Sequence, residues 1–200
     1  MSERLPMSLF FCLFFLSLSA FAGAEAPRQD EVLEQVEAPP GGDFVLDSVN
    51  GPLDTRQLRG KSIFLYFGYT RCPDVCPTSL SFLTQALSEL SDEELQKTVS
   101  IFVSVDPQHD TVESLADYVE YFHPNLIGVT GTEEAVAKVA KQYGAQYYEV
   151  ELEGSAFGYA VNHSAATYLI APDGELRFIF PHETPPEVLL QAVRHLNAGN

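Results

Sequence analysis

Cys72 and Cys76 are the side chains of this sequence best suited to chemistry: two thiols four positions apart in Cys72-Pro73-Asp74-Val75-Cys76-Pro77. A pair at this spacing either holds a soft or borderline metal ion or cycles through a disulfide, and spacing alone does not separate the two. The bland alternative is a pair of buried structural cysteines. Each cysteine precedes a proline and is thereby biased away from the α region, while Pro77 suits the first turn of a helix. Both thiols are therefore expected at a helix entrance rather than inside the helix. Unpaired amides and the helix dipole at that point favour negative charge, so the thiol pKa should fall and the thiolate should form.

The elements around the pair can be read from periodicity. An apolar run at residues 63–67 is short enough for a buried strand, and residues 78–90 follow with Leu80, Leu83, Leu87 and Leu90 at helical spacing. Residues 99–105 form a second strand ending at Asp106-Pro107, and Asp110-Thr111 opens a helix to about Tyr121. Residues 126–129 read as a short strand and 133–143 as a helix. After residues 147–151 and a glycine-containing loop at 154–158, two strands at 166–170 and 176–180 flank the turn Pro172-Asp173-Gly174. A last helix follows Thr184-Pro185-Pro186. Near the start, residues 43–61 alternate apolar and polar around Asn50-Gly51, as a small hairpin capping the core would. The βαβα order calls for an α/β fold: a central mixed sheet flanked by helices, with an N-terminal hairpin extension.

This topology suggests a third member for the site. Carboxyl ends of parallel strands gather at one sheet edge, which brings Cys72, Cys76 and Asp106 together. If the strand at 166–170 runs antiparallel to them, its amino end meets the same edge, and His163 lies just before it. Two thiolates and one imidazole suit copper: thiolates favour Cu(I), and two sulfurs with a nitrogen also hold Cu(II) when a weak further ligand or water is available. Zinc ranks second, because a structural zinc site ordinarily takes a fourth protein ligand. A dithiol oxidoreductase has no need of the histidine. His109, His123, His182 and His195 read as solvated or hydrogen-bonded residues.

Three blocks carry a resemblance to a known family: Cys72-Pro73-Asp74-Val75-Cys76-Pro77 after Phe67-Gly68-Tyr69-Thr70, Val105-Asp106-Pro107 with Asp110-Thr111, and His163-Ser164 before Tyr168-Leu169. In order and spacing they resemble the signature of the Sco/SenC family, thioredoxin-like copper proteins that help assemble the dinuclear copper centre of cytochrome c oxidase. The resemblance runs from about Phe44 to the C-terminus. It implies a thioredoxin-like fold and one copper, Cu(I) or Cu(II), bound by Cys72, Cys76 and His163. Asp106 would be an acidic residue near the site, tied to metal release or partner contact. The implied partners are the apo copper subunit of cytochrome c oxidase and other copper chaperones or thiol reductants. The alternative function is a thiol-disulfide oxidoreductase that uses Cys72 and Cys76 as a redox-active pair to reduce the acceptor's cysteines. A peroxidase ranks third, since it has little use for a distant histidine. The chain departs from the family pattern at Asn162, where an Asp is usual, and at His109, where an Arg is common. Loss of the carboxylate at 162 is expected to weaken the orientation of His163.

The remaining sequence bounds the setting. Residues 1–24 pass from Arg4 into an apolar segment with small-residue cleavage candidates at Ala20-Phe21-Ala22 and Ala22-Gly23-Ala24, as in a signal peptide or an N-terminal membrane anchor. Cys12 sits within this segment without the preceding small residues of a lipoprotein signal. Residues 25–42 are acidic and proline-rich and read as a flexible linker, leaving 43–200 as the one folded domain. Export to the periplasm, with or without a membrane tether, is the expected location. The formal charge of −17 argues against nucleic acid and anionic membrane surfaces as partners. No phosphate-binding glycine loop, serine nucleophile motif or internal repeat is present in the sequence.

Overall fold

The computed structural model describes residues 39–152 and 158–198. The expectations for residues 1–24, for most of the linker and for most of the glycine-containing loop fall outside the described residues. Where the linker meets the domain, the chain is already fixed: Gly41 N–H donates to the Gln142 carbonyl at 3.1 Å, and the Tyr143 hydroxyl donates to the Gly42 carbonyl at 2.7 Å. Gly41 has φ +62°, and a Cβ there would meet Leu176 Cβ at 2.8 Å, so only glycine fits this approach. The folded domain thus begins a few residues before 43.

Strands β1 (Val45–Ser48) and β2 (Gly51–Asp54) form the expected hairpin, with Gly51 at φ +98° closing the turn. Rather than capping the core, the hairpin extends the main sheet, because β1 also pairs antiparallel with β5 (Leu126–Thr130). At the centre lie β3 (Ser62–Gly68) and β4 (Thr98–Ser104), buried at every position. That burial explains why both read as continuous runs without alternation, as strands covered on both faces do. Parallel pairing joins β3 to β4 and β4 to β5. On its other side β3 meets β8 (Thr167–Ile170) antiparallel, with Tyr66 opposite Thr167, and β9 (Leu176–Phe180) closes that edge. The sheet order is β2-β1-β5-β4-β3-β8-β9.

The flanking helices are α1 (Val75–Ser88), α2 (Asp92–Gln96), α3 (Val112–Glu120), α4 (Glu133–Gln142) and α5 (Pro186–Ala198). Thr111 caps α3 as expected, with Ser114 as its reciprocal partner. The short α2, held by a Ser91–Glu94 capping box, has no counterpart in the sequence reading. Among the described residues no helix is long and apolar enough to cross a membrane.

Outside the main sheet, β6 (Tyr147–Glu151) and β7 (Tyr159–His163) form a separate antiparallel ribbon. His163 is therefore the last residue of a strand, not part of a loop before β8.

Candidate metal centre

The site is built on the end of β3. Gly68 is the strand's last residue, and a Cβ placed there would lie 2.7 Å from the Cys76 sulfur and 2.9 Å from the Phe102 ring. Glycine at 68 makes the space that Cys76 occupies. Beyond it, Thr70 donates through its amide (3.0 Å) and hydroxyl (2.6 Å) to the carboxylate of Asp110, which also accepts from Ser104 Oγ at 2.7 Å. This buried carboxylate ties the thiol loop to β4. The loop then turns, with Cys72 N–H donating to the Tyr69 carbonyl at 3.2 Å.

Helix α1 begins at Val75, so Cys72 precedes the helix and Cys76 lies within its first turn. The expectation that both thiols stand outside the helix holds for Cys72 only. Pro77 tolerates this arrangement because first-turn amides have no intrahelical acceptor. Asp74, at the cap position, makes no side-chain cap hydrogen bond. Instead the Cys76 amide donates to Cys72 Sγ at 3.4 Å, so a sulfur does the capping.

The two thiols consequently differ. A hydrogen bond from the Cys76 side chain, with further ones from the Asp74 and Cys76 amides, outweighs burial and lowers the Cys72 pKa to about 4. Burial, reinforced by the adjacent Cys72 sulfur, pushes the Cys76 thiol up. The expected lowering of both pKa values thus holds for Cys72 and is reversed at Cys76.

His163 completes the group. Its Nε2 lies 3.1 Å from Cys76 Sγ and 3.9 Å from Cys72 Sγ, and the three donor atoms all fall within 4.8 Å of one another. Nδ1 sits 3.1 Å from the Ser164 carbonyl oxygen, which can only accept, so Nδ1 carries the ring proton and Nε2 faces the sulfurs with its lone pair. Tyr66 and Tyr69 meet the imidazole edge-on, with ring centroids 6.2 and 5.9 Å away. Asn162 points to the opposite side of the strand and donates to the Tyr148 hydroxyl at 3.1 Å. The carboxylate missing at 162 therefore costs His163 nothing: a backbone carbonyl holds its ring.

Asp106 stands beside this group rather than in it. Only 3 % exposed, it accepts from Arg71 Nη2 at 2.6 Å and from the Tyr159 hydroxyl at 2.7 Å, and lies 3.1 Å from His109 Nδ1. Burial is the largest influence and raises its pKa, but the hydrogen bonds from Arg71, Tyr159 and His109 together hold the carboxyl below its ordinary value. His109 thus occupies a structural hydrogen-bonding position. His123 accepts the Asn125 amide at 3.0 Å, and His182 Nδ1 contacts Ser79 Oγ at 2.8 Å. Among the described residues, Cys72, Cys76 and His163 form the one group with metal-ligating geometry.

Sequence reading gave no role to Gly68, Arg71 or Tyr159. The signal for Tyr159 was the strand itself: in Tyr159-Ala160-Val161-Asn162-His163, alternate residues share a face.

The SCO1/SenC family model matches residues 33–198. The chain belongs to this family. As a Sco chain it is 35% identical over 181 residues to the mouse (Mus musculus) Protein SCO2 homolog, mitochondrial, covering 88% of this chain and 71% of that protein. Among solved structures it superposes on Arabidopsis thaliana ScoI with copper bound at a TM-score of 0.70 and 34% identity, covering 80% of this chain and 99% of that one. Apo Sco1 from Thermus thermophilus matches at a TM-score of 0.72 and 34% identity, covering 79% and 92% respectively. The mixed sheet with flanking helices is the thioredoxin-like fold of Sco proteins.

Proposed function

We propose that this Sco chain binds one copper ion through Cys72, Cys76 and His163 and passes it to the apo copper subunit of cytochrome c oxidase during assembly. Export places it in the periplasm, where the N-terminal segment is cut or retained as a tether. The observation that carries this reading is the donor set: two sulfurs and one imidazole nitrogen converging within 4.8 Å, in a fold shared with a solved relative that has copper bound. Metal bonds of roughly 2.0–2.3 Å, the lengths zinc makes to nitrogen and sulfur, would set the two donors about 3.8 Å apart at an angle of about 120°. The contacts of 3.1 and 3.9 Å need only a small opening to admit the ion. Burial favours the protonated form of Cys76, so loading has to displace the proton of that thiol. Transfer proceeds as acceptor thiolates replace these donors one at a time, His163 leaving most readily because it lies outside the rigid sheet.

The test is to load the reduced chain with Cu(I), mix it with reduced apo subunit and separate the two. About one copper per chain, moving to the subunit, is expected. A chain that binds no copper, or holds it in the presence of excess acceptor, contradicts the proposal.

A second reading draws on the split between the thiols. The Cys72 thiolate attacks an acceptor disulfide, releasing one acceptor thiolate and forming a mixed disulfide. Cys76, once deprotonated, attacks Cys72 Sγ and releases the second. Two electrons pass to the acceptor, and the chain is left as the Cys72–Cys76 disulfide, to be reduced again by an external dithiol. Counting thiols released from oxidised subunit per chain, with and without copper, distinguishes this reading from delivery.

A further inference from the structure

The ribbon that carries His163 is attached to the domain at its two ends. At its root, the Ser164 amide donates to the Gln146 carbonyl at 2.8 Å and the Gln146 amide donates to Ser164 Oγ at 2.9 Å, and the chain runs directly on towards β8. At its other end is Tyr159, paired with Glu151. Tyr159, Val161 and His163 share the inner face of β7. Val161 is buried, and the Tyr159 hydroxyl donates to Asp106 at 2.7 Å.

Asp106 is also where the thiol loop is held. Arg71, the residue before Cys72, pairs with the other carboxylate oxygen of Asp106 at 2.6 Å, and its guanidinium lies 5.5 Å from the centre of the Tyr159 ring. His109 Nδ1 is 2.6 Å from the Tyr159 hydroxyl. One buried carboxylate therefore links the residue preceding the first sulfur to the strand that ends in the imidazole.

We propose that Tyr159 is a positioning residue for the metal centre: its bond to Asp106 fixes the far end of the ribbon against the thiol loop and so sets the distance between His163 and the sulfurs. The inference rests on the copper reading above. Its physical basis is that a lone two-stranded ribbon is marginal in water, so side-chain docking decides where it lies. Val161 and the packing of Tyr66 and Tyr69 on His163 hold the middle and the root. The hydroxyl of Tyr159 supplies a directional bond at the far end. Thiolates supply most of the affinity for Cu(I), whereas Cu(II) depends more on the nitrogen, so slack in the ribbon affects the two oxidation states unequally.

The test uses the full chain with Tyr159→Phe, His163→Ala and the double variant. Phe keeps the ring and leaves Asp106 bonded to Arg71. Tyr159→Phe should weaken Cu(II) binding about tenfold and shift the sulfur-to-copper charge-transfer band, while Cu(I) affinity changes by less than about threefold. In the His163→Ala background the same change should cost Cu(II) nothing more, because its effect passes through the imidazole. Without metal, amide exchange across Tyr147–Glu151 and Tyr159–His163 should speed up while β3, β4 and β8 stay protected. An unaltered band and affinity in Tyr159→Phe, or an equal loss with and without His163, overturns the proposal. If the wild-type chain binds neither Cu(I) nor Cu(II), the copper reading fails instead, and ribbon exchange alone still decides whether Tyr159 holds the strand.

Discussion

The two sulfurs and the imidazole reach the same point from regions of opposite character. The thiol loop grows out of β3, a central strand buried along its whole length, and is fixed by the space at Gly68 and the Thr70–Asp110 bonds. The β6–β7 ribbon lies off the sheet, with exposed residues such as Tyr148 and Glu149 on its strands, and is docked mainly by side chains. The contrast implies a division of labour: a rigid half that presents sulfur in one geometry, and a half that adjusts at low cost. For a protein that takes up and releases an ion, the adjustable ligand should be the one that closes last and opens first.

The largest effects should come from the ligands themselves, and they should differ between the regions. Cys72→Ser removes a sulfur from the rigid half and should abolish stable binding of both copper oxidation states. His163→Ala should lower Cu(II) affinity by more than about a hundredfold, beyond the cost of losing an outer-shell contact, while Cu(I) is retained by the two thiolates. Competition titration with a chelator of known affinity reads both. Equal losses for the two ions in His163→Ala would erase the distinction between a rigid and an adjustable half.

Gly68→Ala probes the rigid half without touching a ligand. The added methyl meets the Cys76 sulfur and the Phe102 ring, neither of which has room to move. Overpacking of this kind should cost about 1–3 kcal/mol in urea unfolding. Copper affinity should fall as well, because the displaced atom is a donor. A destabilised variant with intact copper affinity would mean that the sulfur is less tightly held than the packing indicates.

The smallest effect lies far from the copper site and serves as a control. Burial lowers the His123 pKa, and its Nδ1 accepts the Asn125 amide, so the folded state favours the neutral ring. A folded pKa below the unfolded value of about 6.5 contributes stability that is complete above that pH and is lost as pH falls through the folded pKa. Thermal unfolding should therefore drop modestly below about pH 6.5, and His123→Gln should flatten that drop while leaving copper binding unchanged.

What the sequence disclosed follows the same division. Continuous apolar runs announced β3 and β4, and helical spacing with capping residues announced the longer helices, because strands buried on both faces are apolar throughout and amphipathic helices carry their periodicity openly. Parallel topology then brought His163 to the thiol edge. The ribbon escaped notice because β6 and β7 are short, polar and half-exposed, with little hydrophobic contrast along them. With the ribbon went Tyr159, and with it the hydrogen-bond cluster around Asp106. The divergent behaviour of the two thiols was equally hidden, since Cys72 and Cys76 each precede a proline and look alike until burial separates them. Asn162 shows the converse: a change that looked harmful in sequence faces away from the ring it was expected to orient.

Copper-edge X-ray absorption on the reduced chain loaded with one equivalent of Cu(I) tests the central claim most directly. Two sulfur donors and one nitrogen donor are predicted, with the nitrogen lost in His163→Ala and both sulfurs retained. A wild-type spectrum without sulfur, or one unchanged by His163→Ala, would contradict the assignment of Cys72, Cys76 and His163 as the copper site.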